Sequence, residues 1–285
     1  MKSYIYQPGR KMTFEKSVRH LETHGQHRII RQAVDNTSPS VVEKIIHQAQ
    51  ILSIQPLSID PPSFQKYVAD AEYEQRYPGY YAGNLPEKSL EHYVALHLLD
   101  LCPDEVFIDL ASEHSPVPEI FARLTGARAY SQDIMYPDGI HDRRIGGDAC
   151  SMPVPDGFAH KAALTCSLEH FETDGDIRLF SELFRVLRPG GRVVVVPFYL
   201  FTEPALQTDP ELSVPAGVEF DPECTVYCAK GWGNRHGRFY SPASFQERIA
   251  GRMAGKFRFE VVHLANATQV DPTIYARFAF AAVRL

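Results

Sequence analysis

The sequence predicts an α/β protein with a doubly wound, mainly parallel sheet. A short apolar run at residues 106–110 carries an acid, and residues 119–124 have the spacing of a short helix. A second apolar run that ends in an acid, residues 127–133, follows a Thr-Gly pair where a helix would stop. This order of strand, turn, helix and strand is typical of a βαβ unit. Ligands of such sheets bind outside the carboxyl ends of the strands, so the turns after residues 110 and 133 are the expected site.

The turn after the first predicted strand is acidic. Asp109, Glu113 and Glu119 lie in or beside it, and residues 111–115 include neither lysine nor arginine. A nucleotide phosphate would need hydrogen-bond donors and positive charge. The carboxylates favour instead a ligand that joins an adenosine-like ribose to a cationic remainder, and Asp133, which ends the second strand, can accept hydrogen bonds from ribose hydroxyls. S-adenosylmethionine fits this description, whereas NAD fits poorly.

Five segments within residues 106–197 carry a family resemblance. In order they read FIDLASEHS, YSQDI, GDACSMPVPDGF, ALTCSLEHF and LFSELFRVLRPGGRVVVVPFY. In the last segment an amphipathic helix is followed by Pro189, which cannot continue it. We expect Gly190 and Gly191 to supply a positive-φ turn before the apolar strand at 193–196. Because the five segments occur in matching order and spacing, this region resembles the class I S-adenosylmethionine-dependent methyltransferases of type 11, the ubiquinone-biosynthesis-like kind.

The resemblance implies a Rossmann-like methyltransferase fold with a doubly wound, seven-stranded sheet. Residues 1–100 are expected to form an N-terminal helical segment or lid. Residues 101–285 are expected to form the α/β domain, with an insertion at about 202–240. Alternating apolar runs at 257–264 and 274–283 resemble the antiparallel hairpin that ends such sheets.

Local signals predict the remaining elements. Residues 13–34 form one helix, or two that are broken near Gly25, and Ser38-Pro39 opens another helix. A helix at 87–102 leads to the first strand of the sheet. The polar connection 134–147 leaves room for a loop with at most one or two helical turns.

The resemblance also implies a set of cofactor contacts at the strand ends. An acid after the third strand accepts a hydrogen bond from the adenine amino group, and this role falls to Asp148. The alternative for Asp148 is a simple helix or turn cap. The full set of predicted cofactor contacts is Asp109, Ala111, Glu113, Asp133, Ile134, Asp148, Ala149 and Ser167.

The first turn departs from the family pattern, which is D-x-G-x-G-x-G. Its three glycine positions hold Ala111, Glu113 and Ser115. Glycine suits such a turn because it tolerates positive φ and lets the backbone approach a ligand closely. A left-handed conformation costs a bulky residue about 1–2 kcal/mol. Either the loop therefore takes a different path, fixed by Pro116 and Pro118, or the cofactor site is impaired.

The acceptor side of the site is predicted from the order of the elements. The resemblance places the residues after the fourth strand beside the methionine part of the cofactor, and His170 there is the predicted general base for a hydroxyl acceptor. A structural role for His170, or a charge contact made by Glu169, is the alternative. The insertion at 202–240 is long enough to be a lid or a binding element. The predicted acceptor contacts are Tyr81, Tyr199, Trp232 and His236, each of which can equally pack or anchor its own segment.

Composition limits the class of protein. The 285 residues are 44% hydrophobic and 22% charged, and the net charge of −6 without a basic run argues against a nucleic-acid partner. No apolar stretch approaches the roughly 20 residues needed to span a bilayer, and the N-terminus lacks a secretory apolar segment, so we expect a cytoplasmic protein. The five cysteines form no CxxC pair and are expected to be thiols. No set of histidines and cysteines has the spacing of a standard metal site, so no metal is expected.

The sequence therefore predicts a methyltransferase that acts on a small molecule or a sugar-type acceptor. Transfer from a sulfonium needs alignment of donor and acceptor and, for an oxygen acceptor, removal of a proton. The alternative is a non-catalytic binding or scaffold protein that keeps the fold and has lost the donor site, a reading that the replaced glycines favour. A nicotinamide oxidoreductase shares the βαβ core, but the Pro-Gly-Gly turn, the acidic first loop and the terminal hairpin count against it.

Overall fold

The computed structural model describes the chain from residue 12 to residue 285. We expect no secretory segment at the N-terminus, and residues 1–11, most of that stretch, lie outside the described residues. The chain divides into two compact units, which we call the sheet unit and the insertion unit. The sheet unit comprises Leu52–Ser167, Arg178–Phe198 and Ala250–Leu285. The insertion unit comprises the described residues up to Ile51, Leu168–Ile177 and Tyr199–Ile249.

The compact units do not follow the boundary expected from the sequence. Residues 52–100 belong to the sheet unit, and the described residues before them belong with the insertion at 202–240. An N-terminal segment that ends at residue 100 stays a prediction, whereas the compact units separate between residues 51 and 52.

Strands and helices are numbered here in chain order. The strands are β1 (Ile29–Ile30), β2 (Gln55–Leu57), β3 (Val106–Leu110), β4 (Arg128–Asp133), β5 (Gly139–His141), β6 (Arg144–Gly146), β7 (Ala159–Thr165), β8 (Leu187–Val196), β9 (Ala205–Thr208), β10 (Thr225–Cys228), β11 (Gly237–Phe239), β12 (Phe257–Leu264) and β13 (Phe278–Arg284). The α-helices are α1 (Phe14–His24), α2 (Pro39–Gln48), α3 (Pro61–Ala71), α4 (Tyr73–Arg76), α5 (Leu85–Leu99), α6 (Val117–Thr125), α7 (Gly175–Val186), α8 (Pro210–Ala216), α9 (Pro242–Phe245) and α10 (Ala267–Val270). Short 3-10 helices at Ala49–Leu52 and Leu168–His170, and a π-helix at Gln246–Ala250, complete the set for the described chain.

The sheet unit is built on one large sheet with the strand order β2-β12-β13-β8-β7-β3-β4-β6-β5. Strands β8, β7, β3, β4 and β6 run parallel to one another, whereas β13 is antiparallel to both β8 and β12. The doubly wound α/β class and the antiparallel terminal hairpin are thus confirmed. The seven strands from β6 to β12 correspond to the predicted sheet, and the short strands β5 and β2 extend its two edges beyond the expected number.

Helices cover both faces of this sheet. On β13, Ala279 and Ala281 pack into one apolar cluster with Leu90 and Val94 of α5. The residue between the two alanines, Phe280, has its ring centroid 6.0 Å from that of Phe180 in α7. Successive side chains of a strand point to opposite faces of the sheet. Helices α5 and α7 therefore lie on opposite faces, as a doubly wound sheet requires.

Of three local predictions, the first is confirmed, the second is confirmed in part and the third is wrong. Helix α6 ends at Gly126, whose φ is 79°. Gly190 has the expected positive φ of 76°, but Gly191 serves a different purpose. A Cβ atom on Gly191 would lie 2.7 Å from the carbonyl oxygen of Arg188, so glycine is needed there for close approach of the backbone. The connection 134–147 folds into the β5–β6 hairpin instead of a loop with helical turns.

The insertion unit contains a second sheet, which the sequence did not predict. Its order is β1-β10-β9-β11, with β11 antiparallel to β9 and the other pairs parallel. Residues 13–34 are therefore not all helical: α1 stops at Gly25, as the predicted break requires, and the chain enters β1 at Ile29. The buried residues of one apolar cluster of this unit are Val34, Phe201, Ala205, Tyr227 and Phe239.

A buried cluster of charges crosses the insertion unit. The Arg238 side chain is only 2% exposed, and its Nε donates to Asp221 at 2.8 Å. A second carboxylate, Asp176, lies 3.4 Å from Arg238 and accepts hydrogen bonds from Tyr240 and Arg248. Charged groups are rarely buried unless they are paired, so this cluster ties α7 to β11 and to the π-helix.

Candidate active site

A cavity of about 370 Å³ opens in the sheet unit where β3 and β7 end. It is lined by residues 79–81, Lys88, residues 111–115 and residues 165–166. Its size is within the range of about 300–1,000 Å³ that small-molecule sites occupy. A larger cavity, of about 470 Å³, lies against α6 and β4, but no predicted cofactor residue lines it. The strand-end cavity is therefore the candidate site.

The loop on one side of this cavity has a strained backbone. Ala111 has a φ of 50° and Glu113 a φ of 47°, both in the left-handed region that favours glycine. These are two of the three positions at which the family pattern has glycine. The loop thus adopts at both positions the conformation that glycine would allow, although its residues are larger. The Glu113 side chain is exposed, and the cavity remains open beside it.

Replacing Glu113 with glycine should relieve this strain. We expect Glu113→Gly to raise the free energy of unfolding by about 0.5–1 kcal/mol, because the gain from a left-handed glycine exceeds the entropy that glycine adds to the unfolded chain. His114→Gly is the matched control: His114 is exposed in the same loop and is not in the left-handed region, so its replacement should cost about 0.5–1 kcal/mol. Urea unfolding of both variants measures the difference, and equal destabilisation by both would contradict the strain.

Asp133, at the end of β4, holds this loop in place. Its two carboxylate oxygens accept hydrogen bonds from the backbone N–H groups of Glu113, at 2.8 Å, and Met135, at 2.9 Å. The hydroxyl of Tyr136 donates to the carbonyl oxygen of Glu113 at 2.5 Å. Each carboxylate oxygen has a further lone pair, so Asp133 can also accept from a ligand hydroxyl. The half-buried Ile134 follows Asp133 directly.

Asp109, near the end of β3, carries an unsatisfied buried oxygen. Its Oδ2 accepts a hydrogen bond from the Ser112 hydroxyl at 2.7 Å, whereas Oδ1 has no partner among the described residues. Burial raises the pKa of Asp109 to about 6, although the hydroxyls of Ser112 and Ser115 oppose that shift. A buried acceptor without a partner is costly. This oxygen therefore fits a site that receives a hydrogen-bond donor or a cation.

The residues after β6 and β7 have structural contacts of their own. Asp148 Oδ1 accepts from the backbone N–H of Cys150 at 2.9 Å, which is the turn cap named as its alternative role. Ala149 is buried, and the buried Ser167 donates from its hydroxyl to the Leu110 carbonyl oxygen at 3.4 Å. The adenine contact of Asp148 and the cofactor contacts of Ala149 and Ser167 stay predictions.

The cavity wall includes a lysine that the sequence analysis missed. Lys88 lies in α5 beside Glu87 and Glu91, and all three side chains are buried. Residues 87 and 91 lie on the same face of α5 as the apolar residues 94 and 98. This spacing was the sequence feature that could have indicated their burial. Charged residues at the start of a helix are usually solvated, so the spacing alone did not suggest burial. The acidic loop thus faces a cavity that also has an ammonium group in its wall.

The predicted base His170 lies in the insertion unit, where the segments around His170 and His236 contact each other through two imidazole–carbonyl hydrogen bonds. Its Nδ1 lies 2.6 Å from the carbonyl oxygen of His236, and Nδ1 of His236 lies 2.9 Å from the carbonyl oxygen of Glu169. A carbonyl oxygen only accepts, so the Nδ1 atom of each ring carries a proton. Burial lowers the pKa of His236 well below its ordinary value, which keeps that ring neutral. His170 is partly exposed, and its Nε2 is 3.6 Å from Glu169 Oε1.

The structure brings together one half of the predicted acceptor contacts. The ring centroid of Trp232 lies 6.2 Å from that of His170, so Trp232, His236 and His170 form one group. Tyr199 belongs to the same unit but packs on Phe239, with ring centroids 5.1 Å apart. Tyr81 belongs to the sheet unit, as do all the predicted cofactor residues.

Three further features of the described residues concern metal ligands, membrane spans and disulfides. Within residues 12–285, no group of three or more metal-ligating side chains is placed to hold an ion. None of the helices in that range is long and apolar enough to cross a membrane. All five cysteines are outside disulfides, as expected from their spacing.

Comparison with known proteins gives one family match. A family model described as a methyltransferase domain matches residues 88–195. No curated protein sequence matches the chain. Similar solved structures include 1,6-didemethyltoxoflavin-N1-methyltransferase from Burkholderia thailandensis, at 13% identity over 81% of this chain and 92% of that chain with a TM-score of 0.49. Geranyl diphosphate C-methyltransferase from Streptomyces coelicolor is 14% identical over 87% of this chain and 99% of that chain, with a TM-score of 0.44.

The family match covers most of the residues that line the strand-end cavity. It begins in α5 at Lys88 and ends within β8, so it includes the loop 111–115, Asp133 and Asp148. These elements belong to the doubly wound sheet that the resemblance implied. Residues 88–195 of the chain therefore match a methyltransferase domain, in the region where the sequence resembles the class I methyltransferases.

Proposed function

We propose that this chain is an S-adenosylmethionine-dependent methyltransferase that acts on a small molecule or a sugar-type acceptor. The observation that carries the proposal is the loop 111–115, which keeps a left-handed backbone at Ala111 and Glu113 and is fixed by Asp133 beside an open cavity. Such a conformation is costly, and costly conformations persist where the surrounding structure enforces them, as at ligand sites.

The residues at the strand ends suit the parts of this cofactor. Asp133 has lone pairs for ribose hydroxyls, and the unsatisfied oxygen of Asp109 suits a cationic or hydrogen-donating group. The proposed surroundings of the adenine are Ile134, Asp148 and Ala149. Ser167, which follows β7, is a further proposed cofactor contact. When bound, the cofactor supplies a methyl group on a positively charged sulfur.

The proposed role of His170 is to remove a proton from the acceptor. Its Nδ1–H is held by the His236 carbonyl, so Nε2 is the atom that would receive the proton. Glu169 Oε1, at 3.6 Å, would then stabilise the imidazolium that forms. Trp232 offers a flat surface beside His170 for an aromatic or sugar ring. Tyr81, Tyr199 and His236 are further proposed acceptor contacts.

A binding or scaffold protein without catalysis is the second candidate. The replaced glycines motivate it, since a left-handed backbone at Glu113 does not by itself require that the donor still binds. Calorimetric titration with S-adenosylmethionine and S-adenosylhomocysteine separates the two candidates. Saturable binding of both is expected for the methyltransferase, and absence of binding at about 1 mM ligand would support the scaffold.

Asp133→Ala tests the proposed ribose contact. We expect it to weaken S-adenosylhomocysteine binding by about 1–3 kcal/mol, because a ligand hydroxyl and the Glu113 N–H both lose their acceptor. Asp138→Ala is the matched control, since Asp138 is exposed in the connection that follows β4. Titration calorimetry on both variants gives the affinities. Unchanged affinity in Asp133→Ala would remove the assigned role.

A further inference from the structure

Helix α5 begins with a compact group of buried charges, Glu87, Lys88 and Glu91. The side chain of Lys88 is 5% exposed, and that of Glu91 is 0% exposed. Buried charges are normally paired, because an unpaired ion in a protein interior costs several kcal/mol. Here two carboxylates accompany one ammonium, so the partners of each group decide how the charges balance.

The two carboxylates have different partners. Glu87 accepts hydrogen bonds from the backbone N–H groups of Tyr275, at 2.7 Å, and Ala276, at 3.1 Å. Glu91 is held by side chains instead: Lys88 Nζ lies 3.1 Å and 3.0 Å from its two oxygens, and the Cys166 thiol donates to Oε1 at 3.2 Å. Glu87 is thus fixed by the fold, whereas Glu91, when it is ionised, is the counter-ion of Lys88.

Lys88 is the member of this group that lines the strand-end cavity. Its ammonium lies 4.9 Å from the ring centroid of Tyr81, which borders the same cavity and is about half exposed. An ammonium in a cavity wall is a receptor for an anionic ligand group. A ligand carboxylate that reaches Lys88 would, however, place two carboxylates around one buried ammonium. Like charges at one site raise the proton affinity of one of them.

We propose that Lys88 binds a carboxylate of the ligand while Glu91 is protonated, so that an ionised Glu91 takes up a proton as this carboxylate enters. The inference rests on the proposed function, because S-adenosylmethionine carries an amino-acid carboxylate. Protonated Glu91 remains hydrogen-bonded inside the cluster, and the ligand replaces it as the counter-ion of Lys88. Ligand binding at this site is therefore coupled to pH.

The surroundings of Glu91 determine the direction of this coupling. Burial raises the pKa of Glu91 to about 8, although the charge of Lys88 opposes the shift. Glu91 is therefore mainly neutral below about pH 8 and competes for Lys88 as an anion above it. The affinity for a carboxylate ligand should be highest below pH 8 and should fall as the pH rises. The titratable groups around Glu91 are Glu87, Lys88, Cys166 and Tyr275, with Tyr73, Tyr80 and Tyr81 from the segment before α5.

The test compares two nucleosides over a range of pH. S-adenosylhomocysteine carries the carboxylate, whereas 5′-methylthioadenosine has the adenosine and the thioether without the amino-acid part. Their affinities are measured by calorimetry between about pH 7 and pH 9 for the unmodified chain, Glu91→Gln and Lys88→Met. The α-ammonium group of S-adenosylhomocysteine also titrates near the upper end of this range. Glu91→Gln shares that effect. The difference in pH dependence between the unmodified chain and Glu91→Gln therefore isolates the contribution of the Glu91 carboxyl group.

We expect the unmodified chain to lose up to about tenfold in S-adenosylhomocysteine affinity per pH unit above pH 8. Glu91→Gln should lose clearly less, and Lys88→Met should bind this ligand at least about tenfold more weakly at every pH. Methylthioadenosine binding should be unaffected in all three proteins, which also shows that the variants are folded.

Three results would overturn the inference. Equal pH dependence of the affinity in the unmodified chain and in Glu91→Gln would rule out proton uptake by Glu91. Unchanged affinity in Lys88→Met would remove the carboxylate contact and leave the proposed function intact. Absence of binding by both nucleosides to the unmodified chain would reject the proposed function itself, and this inference with it.

Discussion

His170→Ala is expected to lower the rate of methyl transfer by about 10²–10⁴-fold while leaving donor affinity nearly unchanged. The His236 carbonyl fixes the ring of His170 with its proton on Nδ1, so Nε2 is the atom available to receive a proton. Alanine removes that acceptor and leaves no other imidazole nitrogen in its place. The substitution should not change the affinity for the methyl donor, because no predicted donor contact belongs to the insertion unit.

The measurement is S-adenosylhomocysteine formation with a panel of phenols, heteroaromatic hydroxyls and sugars as acceptors. His47→Ala serves as the matched control, since His47 is an exposed histidine in the same unit. Full activity in His170→Ala would exclude a role as base. Parallel losses of turnover, donor affinity and thermal stability would instead assign His170 a purely structural role.

Arg238→Leu is expected to lower the free energy of unfolding by about 3–5 kcal/mol. Beyond Asp221, the buried Arg238 guanidinium donates to the carbonyl oxygens of Phe171, at 2.6 Å, and Thr173, at 2.9 Å. Leucine can fill much of the volume but satisfies none of these acceptors. Asp176 keeps Arg248 and Tyr240 as partners, and the Thr173 carbonyl keeps a hydrogen bond from Arg248. The cost therefore arises mainly from Asp221 and the Phe171 carbonyl.

Urea unfolding of the full chain, followed by tryptophan fluorescence, reports on this unit because the single Trp232 lies within it. Arg258→Leu is the matched control. Arg258 pairs with Glu260 at 2.8 Å, but both side chains are exposed, at 61% and 42%, and such surface pairs contribute about 0–1 kcal/mol. Similar small effects in both variants would mean that the buried cluster is not important for stability.

The large sheet was predictable because its signals are local. Strand β3 is a short run of mainly apolar residues, and Gly126 marks the end of the helix between β3 and β4. The second sheet gave no such signal. Its strands are two to four residues long, and β1 pairs with β10 through Ile29 and Val226, which are far apart in the sequence. Only tertiary packing makes residues 29–30 a strand, so pattern and propensity cannot predict it.

The site was predictable in part for the same reason. Asp109 and Asp133 end predicted strands, and both lie at strand ends in the structure. Lys88 and Glu91 were missed because charged residues in a helix are usually solvated and their burial depends on neighbours from other elements. Cys166 and Tyr275, which complete that group, come from positions well beyond α5 in the chain. No window of sequence contains all of these residues together.

The anchoring of the Glu113 peptide has a consequence for recognising related sites. Its N–H donates to Asp133, the last residue of β4, and its carbonyl oxygen accepts from Tyr136, three residues later. Two side chains outside the loop therefore hold this peptide in place. Geometry imposed in this way does not depend on the identity of the gripped residue. Divergent homologues that lack the glycine signature should therefore be sought by an aspartate with a tyrosine three positions later, and glycine-based motif searches will overlook them.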